Sequence, residues 1–123
     1  VIDVKETDMN KFVVTNGSRV NIDPFMRKEK YVYEVFSKSE EIEDKQVVCG
    51  YTCMEMDRLM MVKNEKKLLE DDYILYKIVG SYTMCFNPLF IEYFPNVYVI
   101  NGDDEPRLVR EKWSVKEYCQ KCL

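Results

Sequence analysis

Apolar residues in this chain come in short runs, separated at fairly regular intervals by polar clusters and turn residues. That pattern limits the fold more than any other feature, because short runs bounded by turn signals build the strands of a small sandwich or barrel. Residue choice points the same way. The apolar positions are filled mainly by Val, Ile, Tyr, Phe and Met, and the chain contains no Ala. β-Branched and aromatic side chains suit a pleated surface, whereas Ala is the strongest helix former. A length of 123 residues fits one core, so a single β-barrel domain over residues 1–123 is expected.

Candidate strands cover residues 1–4 and 11–14, followed by a turn at Asn16-Gly17, where both residues tolerate positive φ. An extended stretch is expected over Arg19-Val20-Asn21-Ile22 until Asp23-Pro24 interrupts it. Residues 30–36 (KYVYEVF) read as a strand, 39–45 as an acidic loop, and 46–54 (QVVCGYTCM) as another strand. Gly50 inside that strand marks either a bulge or a close approach. Residues 57–62 suit a short strand or one helical turn, and 64–72 a charged loop.

The most informative element spans residues 73–86. One parity carries Ile74, Tyr76, Ile78, Gly80, Tyr82, Met84 and Phe86, and the other is mixed. This predicts one long half-buried strand, bent at Gly80 as barrel strands are. Strands over 90–94 and 96–100, a turn at Asn101-Gly102-Asp103-Asp104 and a return over 106–110 complete the pattern. At the C-terminus, Ser114 and Glu117 have the spacing of a helix capping box, and a strand over 115–119 fits equally well. The expected fold is therefore mainly all-β, a small antiparallel barrel of oligonucleotide-binding type with room for one short helix.

Chemistry-bearing patterns are sparse. The chain has no His, which removes the commonest general base and the commonest metal ligand together. Four scattered glycines assemble no phosphate loop. The acidic pairs Asp71-Asp72 and Asp103-Asp104 could hold Mg²⁺ only in a dry cleft, but both lie beside expected turns and read as solvated. Cys49 and Cys53 with Cys119 and Cys122 form the sharpest metal hypothesis, since the second pair has zinc-site spacing. An extended 49–53 separates its two cysteine α-carbons by about 13 Å along the strand, so one ion could reach both thiols only around a tight turn.

A net charge of −4 opposes phosphate binding, and the densest basic stretch, Arg27 to Lys30, is interrupted by an acid. The nine Tyr, six Phe and one Trp accordingly suit core and protein-interface roles better than base stacking. No apolar run approaches the ~20 residues that span a bilayer, no signal-peptide pattern opens the chain, and the first residue is Val, so a trimmed start is expected. Five cysteines without a secreted framework fit reduced thiols in cytosol or nucleus.

Taken in order, these segments resemble the small β-barrel subunit, the eighth in the usual naming, shared by the three nuclear RNA polymerases of eukaryotes. The opening VIDVKETDMNKF…SRVNI and YVYEVF are similar to that family's early strands, and LEDDYILYKIVGSYTM (residues 69–84) resembles its D-D-Y…G-x-x-Y stretch, with one extra residue before the glycine. The shared positions are Asp71, Asp72, Tyr73, Gly80 and Tyr82, with Gly102 matching a later glycine. Pro95-Asn96 replaces the family's glycine pair, and EYCQKC replaces its closing aliphatic run. The resemblance implies a non-catalytic structural subunit in the nucleus, docked on the largest polymerase subunit. It implies no cofactor, no metal, no strong direct nucleic-acid binding, no membrane and a closing strand over 115–122. Two alternatives carry different expectations: a single-strand nucleic-acid-binding barrel of telomere or replication type, and a zinc-stapled protein-interaction domain.

Overall fold

The computed structural model describes residues 1–52 and 54–120. These form two compact units, Val1–Phe86 and the residues from Asn87 onward. In chain order the elements are β1 (Asp3–Glu6), β2 (Lys11–Val14), α1 (Arg19–Ile22), β3 (Val32–Phe36), β4 (Ile42–Cys49), β5 (Arg58–Lys66), β6 (Tyr73–Lys77), β7 (Val97–Val99), β8 (Arg107–Arg110) and α2 (Val115–Cys119). The chain is mainly strand with few helices, as its residue choice predicts.

In the first unit, one sheet has the order β1-β2-β4-β5, and β3 pairs with β6 in a second. β2 and β4 run parallel, Phe12 facing Val47, while the other pairs are antiparallel. The parallel pair corrects the expectation of an antiparallel barrel. Its physical basis is the long crossover through α1 and β3, since parallel neighbours cannot be joined by a tight hairpin. Among the described residues no sheet closes on itself.

Val13, Ile22, Val48, Leu59, Val62 and Leu68 make the core, with Tyr33 and Val35 of β3 and Ile74 and Tyr76 of β6 packed against it. Burying one such aliphatic side chain contributes about 1.5–3 kcal/mol. Leu59 and Val62 are three positions apart, a spacing that strict alternation would put on opposite faces. A bulge between Val48 and Cys49 of β4 leaves Leu59 as the extra residue of β5, so both reach the core. Gln46 is fully buried, and its side-chain amide donates to the Lys66 carbonyl (3.0 Å) and accepts from the Leu68 N–H (2.8 Å). Those bonds satisfy a polar group that would otherwise destabilise the interior.

Several expectations about elements are corrected. Arg19–Ile22 is helical, because Ser18 caps it and the Asn21 side chain accepts from the Ser18 N–H (2.8 Å). The acidic stretch at 39–45 is already strand from Ile42 onward, paired with β5. The long strand over 73–86 stops after Lys77. Ile78 turns to φ 57°, and Tyr82 (φ 64°) begins a turn in which the Phe86 N–H donates to its carbonyl (2.8 Å). The bend is therefore made by Ile78 and Tyr82, and Gly80 is not at positive φ.

The second unit is built around the β7–β8 hairpin, joined by the expected turn: Gly102 sits at φ 60° and the Asp104 N–H donates to the Asn101 carbonyl (3.1 Å). Phe94 is buried under Trp113 (5.0 Å between rings) and the Arg110 guanidinium (4.6 Å). α2 carries the capping box of Ser114 and Glu117, which corrects, over Val115–Cys119, the closing strand implied by the polymerase resemblance; residues 121 and 122 lie outside the described residues. No strand forms over 90–94.

Candidate functional site

Three buried carboxylates organise the first unit. Asp57 Oδ1 accepts from Ser18 Oγ (2.9 Å) and the Arg19 N–H (2.7 Å), while Oδ2 accepts from the Thr52 N–H (3.1 Å) and Thr52 Oγ1 (2.6 Å). Gly50 donates its N–H to the Asp57 carbonyl (2.8 Å), and a Cβ on Gly50 would lie 2.2 Å from Asp57 Oδ2. The glycine thus marks a close approach, one of the two meanings its position allowed. One side chain ties the start of α1 to both ends of the loop between β4 and β5.

Asp23 accepts from the Lys28 N–H (2.8 Å) and pairs with Arg19 (3.3 Å). Burial pushes its pKa up, but the backbone donors of Lys28 and Arg27 and the Arg19 guanidinium outweigh that and hold it below the usual carboxylate range. Asp72 is buried, with Leu69 N–H (2.7 Å), Ser37 Oγ (2.8 Å) and Lys38 N–H (3.0 Å) donating to it. Its burial also works against ionisation, and those donors, led by the Leu69 N–H, win and lower the pKa. In Asp23 and Asp72 the fixed donors favour the charged form.

The residues singled out by sequence are dispersed. Asp71 and Asp72 point apart: Asp72 is interior, while Asp71 is exposed at φ 64°. The solvated reading of the pair therefore holds for Asp71 only. Asp103 and Asp104 are exposed in the β7–β8 turn. Tyr73 is exposed, and Gly80 and Gly102 have open space around their α-carbons. Cys53 and Cys122 lie outside the described residues. Cys49 is half-buried, and burial pushes its thiol up more than nearby Arg58 draws it down; Cys119 is exposed on α2. Among the described residues no three Asp, Glu, Cys or His side chains cluster as metal ligands.

Sequence reasoning missed the feature that stands out most, an exposed aromatic group. Tyr82 meets Phe25 edge-on (5.2 Å), Phe86 lies 5.0 Å from Phe25, and Arg27 stacks over Phe25 at 5.6 Å. Ile78, Tyr82, Met84 and Phe86, expected to face inward, are all exposed, Ile78 at 84%. Bulky residues at positive φ are rare, and a β-branched one there is a true outlier. Backbone held that way concentrates at ligand clamps and switch segments. Chemically, this surface can stack on or pack against an apolar or cationic group, and it offers no acid–base pair of its own.

No family model matches the chain, and no curated protein does. Solved structures do. A diaminopimelate decarboxylase from M. jannaschii in co-complex with L-lysine superposes at a TM-score of 0.80 with 17% identity, over 100% of this chain and 28% of that one. The Helicobacter pylori diaminopimelate decarboxylase complexed with L-lysine gives 0.77 and 18%, over 98% and 29%. Carboxynorspermidine decarboxylase complexed with norspermidine, from Campylobacter jejuni, gives 0.68 and 20%, over 98% and 36%. The fold is that of a part of these decarboxylases. At such identities the likeness is one of fold, and the chain spans about a third of the length of the structures it matches.

This finding overturns the polymerase resemblance. The matched structures are decarboxylases, not polymerase subunits, and with that the reading as a structural, non-catalytic transcription subunit is withdrawn. The segment order that suggested it reflects short strands of common residue types, which different β folds share. The expected polymerase partners, and the choice of nucleus over cytosol, rest on that resemblance and lose its support.

Proposed function

We propose that this chain is the β-rich part of a larger decarboxylase that acts on an amino-substituted carboxylic acid. The likeness in fold to diaminopimelate and carboxynorspermidine decarboxylases, over nearly all of this chain, carries the reading. The exposed aromatic surface at Phe25, Tyr82 and Phe86 supports it, because such a surface serves recognition when another part of the polypeptide covers it. Without a His in this chain, acid–base groups for the reaction are drawn largely from elsewhere in the enzyme. The role of this part is to shape and close the site. A barrel of oligonucleotide-binding type forms no part of the reading.

The test is release of CO₂ by the full polypeptide from meso-diaminopimelate and, separately, from carboxynorspermidine, with lysine or norspermidine quantified as product. Turnover of either is expected, and Phe86→Ala should lower kcat/KM about tenfold or more while leaving the circular dichroism spectrum unchanged. Absence of product from both substrates, with the polypeptide folded, would refute the proposal.

A further inference from the structure

The four-stranded sheet has a second face, turned away from the core, whose chemistry the decarboxylase reading does not use. Register places Phe12 of β2, Val47 of β4 and Met61 of β5 side by side on it. They floor a cavity of about 530 Å³, within the size range of small-molecule sites. Lys45, two residues before Val47, stands at one end of this row, and Arg58, opposite Cys49, at the other. Four residues of strand separate their rows, about 13 Å.

Lys28 completes the wall, its ammonium donating to the Ile78 carbonyl (3.2 Å). Among the described residues, none of these three cations makes an ion pair with a carboxylate. Arg19 also lines the cavity but is held by Asp23 (3.3 Å), and Glu29 is the one acid on the wall. In a chain of net charge −4, a concave site with an apolar floor and uncompensated cations at both ends is unusual.

We propose that this face binds a small organic dianion: an apolar or aromatic body lying on Phe12, Val47 and Met61, with one anionic group near Lys45 and another near Arg58. Charge complementarity selects the ligand class. A neutral apolar molecule would leave the cations unmatched, and a simple inorganic anion would leave the floor uncovered. The two ends also set a length, so monoanions use half the site.

The full polypeptide is titrated calorimetrically with 2,6-naphthalenedicarboxylate, with the uncharged 2,6-bis(hydroxymethyl)naphthalene, and with inorganic phosphate. Methyl signals of Val47 and Met61 are followed alongside. The dicarboxylate is expected to bind with both methyls shifted, and to bind at least about tenfold tighter than either comparison probe. Lys45→Glu with Arg58→Glu should abolish that advantage, and the milder Lys45→Gln with Arg58→Gln should reduce it if charge reversal unfolds the protein. Lys116→Glu, at an exposed position on α2, should leave it unchanged. Equal affinity for the diol or for phosphate would overturn the proposal. So would unmoved methyls, or no binding because an acidic segment of the polypeptide already fills the groove. Because the readout is binding rather than turnover, failure here leaves the decarboxylase reading standing, and the converse holds.

Discussion

Substituting Gly50 by Ala isolates one contact whose cost the structure allows to be worked out. Gly50 is not in the left-handed region, so Ala there carries no left-handed strain. The whole penalty comes from the new methyl. It would sit 2.2 Å from Asp57 Oδ2, 2.4 Å from Oδ1 and 2.5 Å from Cγ. That is about 1–2 Å inside ordinary contact distance. The carboxylate cannot swing aside freely, since Oδ1 is held by Ser18 and Arg19 and Oδ2 by Thr52. Retreat of even one oxygen breaks two bonds to a charged acceptor and leaves their donors poorly matched. Hydrogen bonds to charged groups contribute about 1.5–3 kcal/mol each, some of which water recovers, so Gly50→Ala should cost about 2–4 kcal/mol.

Urea denaturation of the full polypeptide, read at the transition that includes this unit, measures the loss. The decisive comparison is a double-mutant cycle with Asp57→Ala. That change is itself costly because it strands buried donors. Once it is made, however, the methyl at position 50 enters vacated space. A coupling energy of at least about 1.5 kcal/mol is expected between the two sites. If the two losses simply add, the close approach is not what makes position 50 a glycine, and the reasoning fails.

Further outcomes are expected elsewhere. Asp72 has a lowered pKa in the folded state, so its contribution is fully present above the unfolded value near pH 4 and is lost as pH falls through the folded value; Asp72→Asn should flatten stability against pH in that acid range, measured by urea midpoints. Asp23→Asn should act in the same direction, with the loss of the Arg19 pair adding to it. Ile78→Gly should stabilise the protein by about 1 kcal/mol in thermal unfolding, because an exposed β-branched residue at φ 57° gives way to one with no Cβ. A loss of substrate binding accompanying that gain would show that the strained backbone has a role in recognition.

Much of the strand pattern was legible because alternation and turn residues act locally. Lys11–Val14 matches its expected bounds, and the Asn101 to Asp104 turn joins β7 to β8 as its residues require. What failed depended on competition between local signals. Ser18 and Asn21 offered the same capping logic that was read at Ser114 and Glu117. The preceding Asn-Gly turn instead favours an extended stretch. The helix wins because Asp57, 38 residues away from Arg19, accepts that residue's N–H and so satisfies a donor the first turn leaves open. No window of sequence shows that partner.

The misreading of residues 73–86 has a different origin, and it bears on function. Alternation identifies a strand by supposing that the bulky parity is buried, and Ile74 and Tyr76 obey it. From Ile78 onward the same parity continues, yet its side chains stand in solvent. A sequence records that large apolar residues are wanted at these positions without recording whether this part of the fold or another surface covers them. The backbone distinguishes the cases: β6 ends where Ile78 turns to positive φ, and the chain then presents Tyr82 and Phe86 against Phe25 instead of joining the sheet. Apolar residues that continue a buried pattern past the end of the sheet are what a domain shows when its partner lies outside it. The structures it resembles in fold are themselves about three times its length.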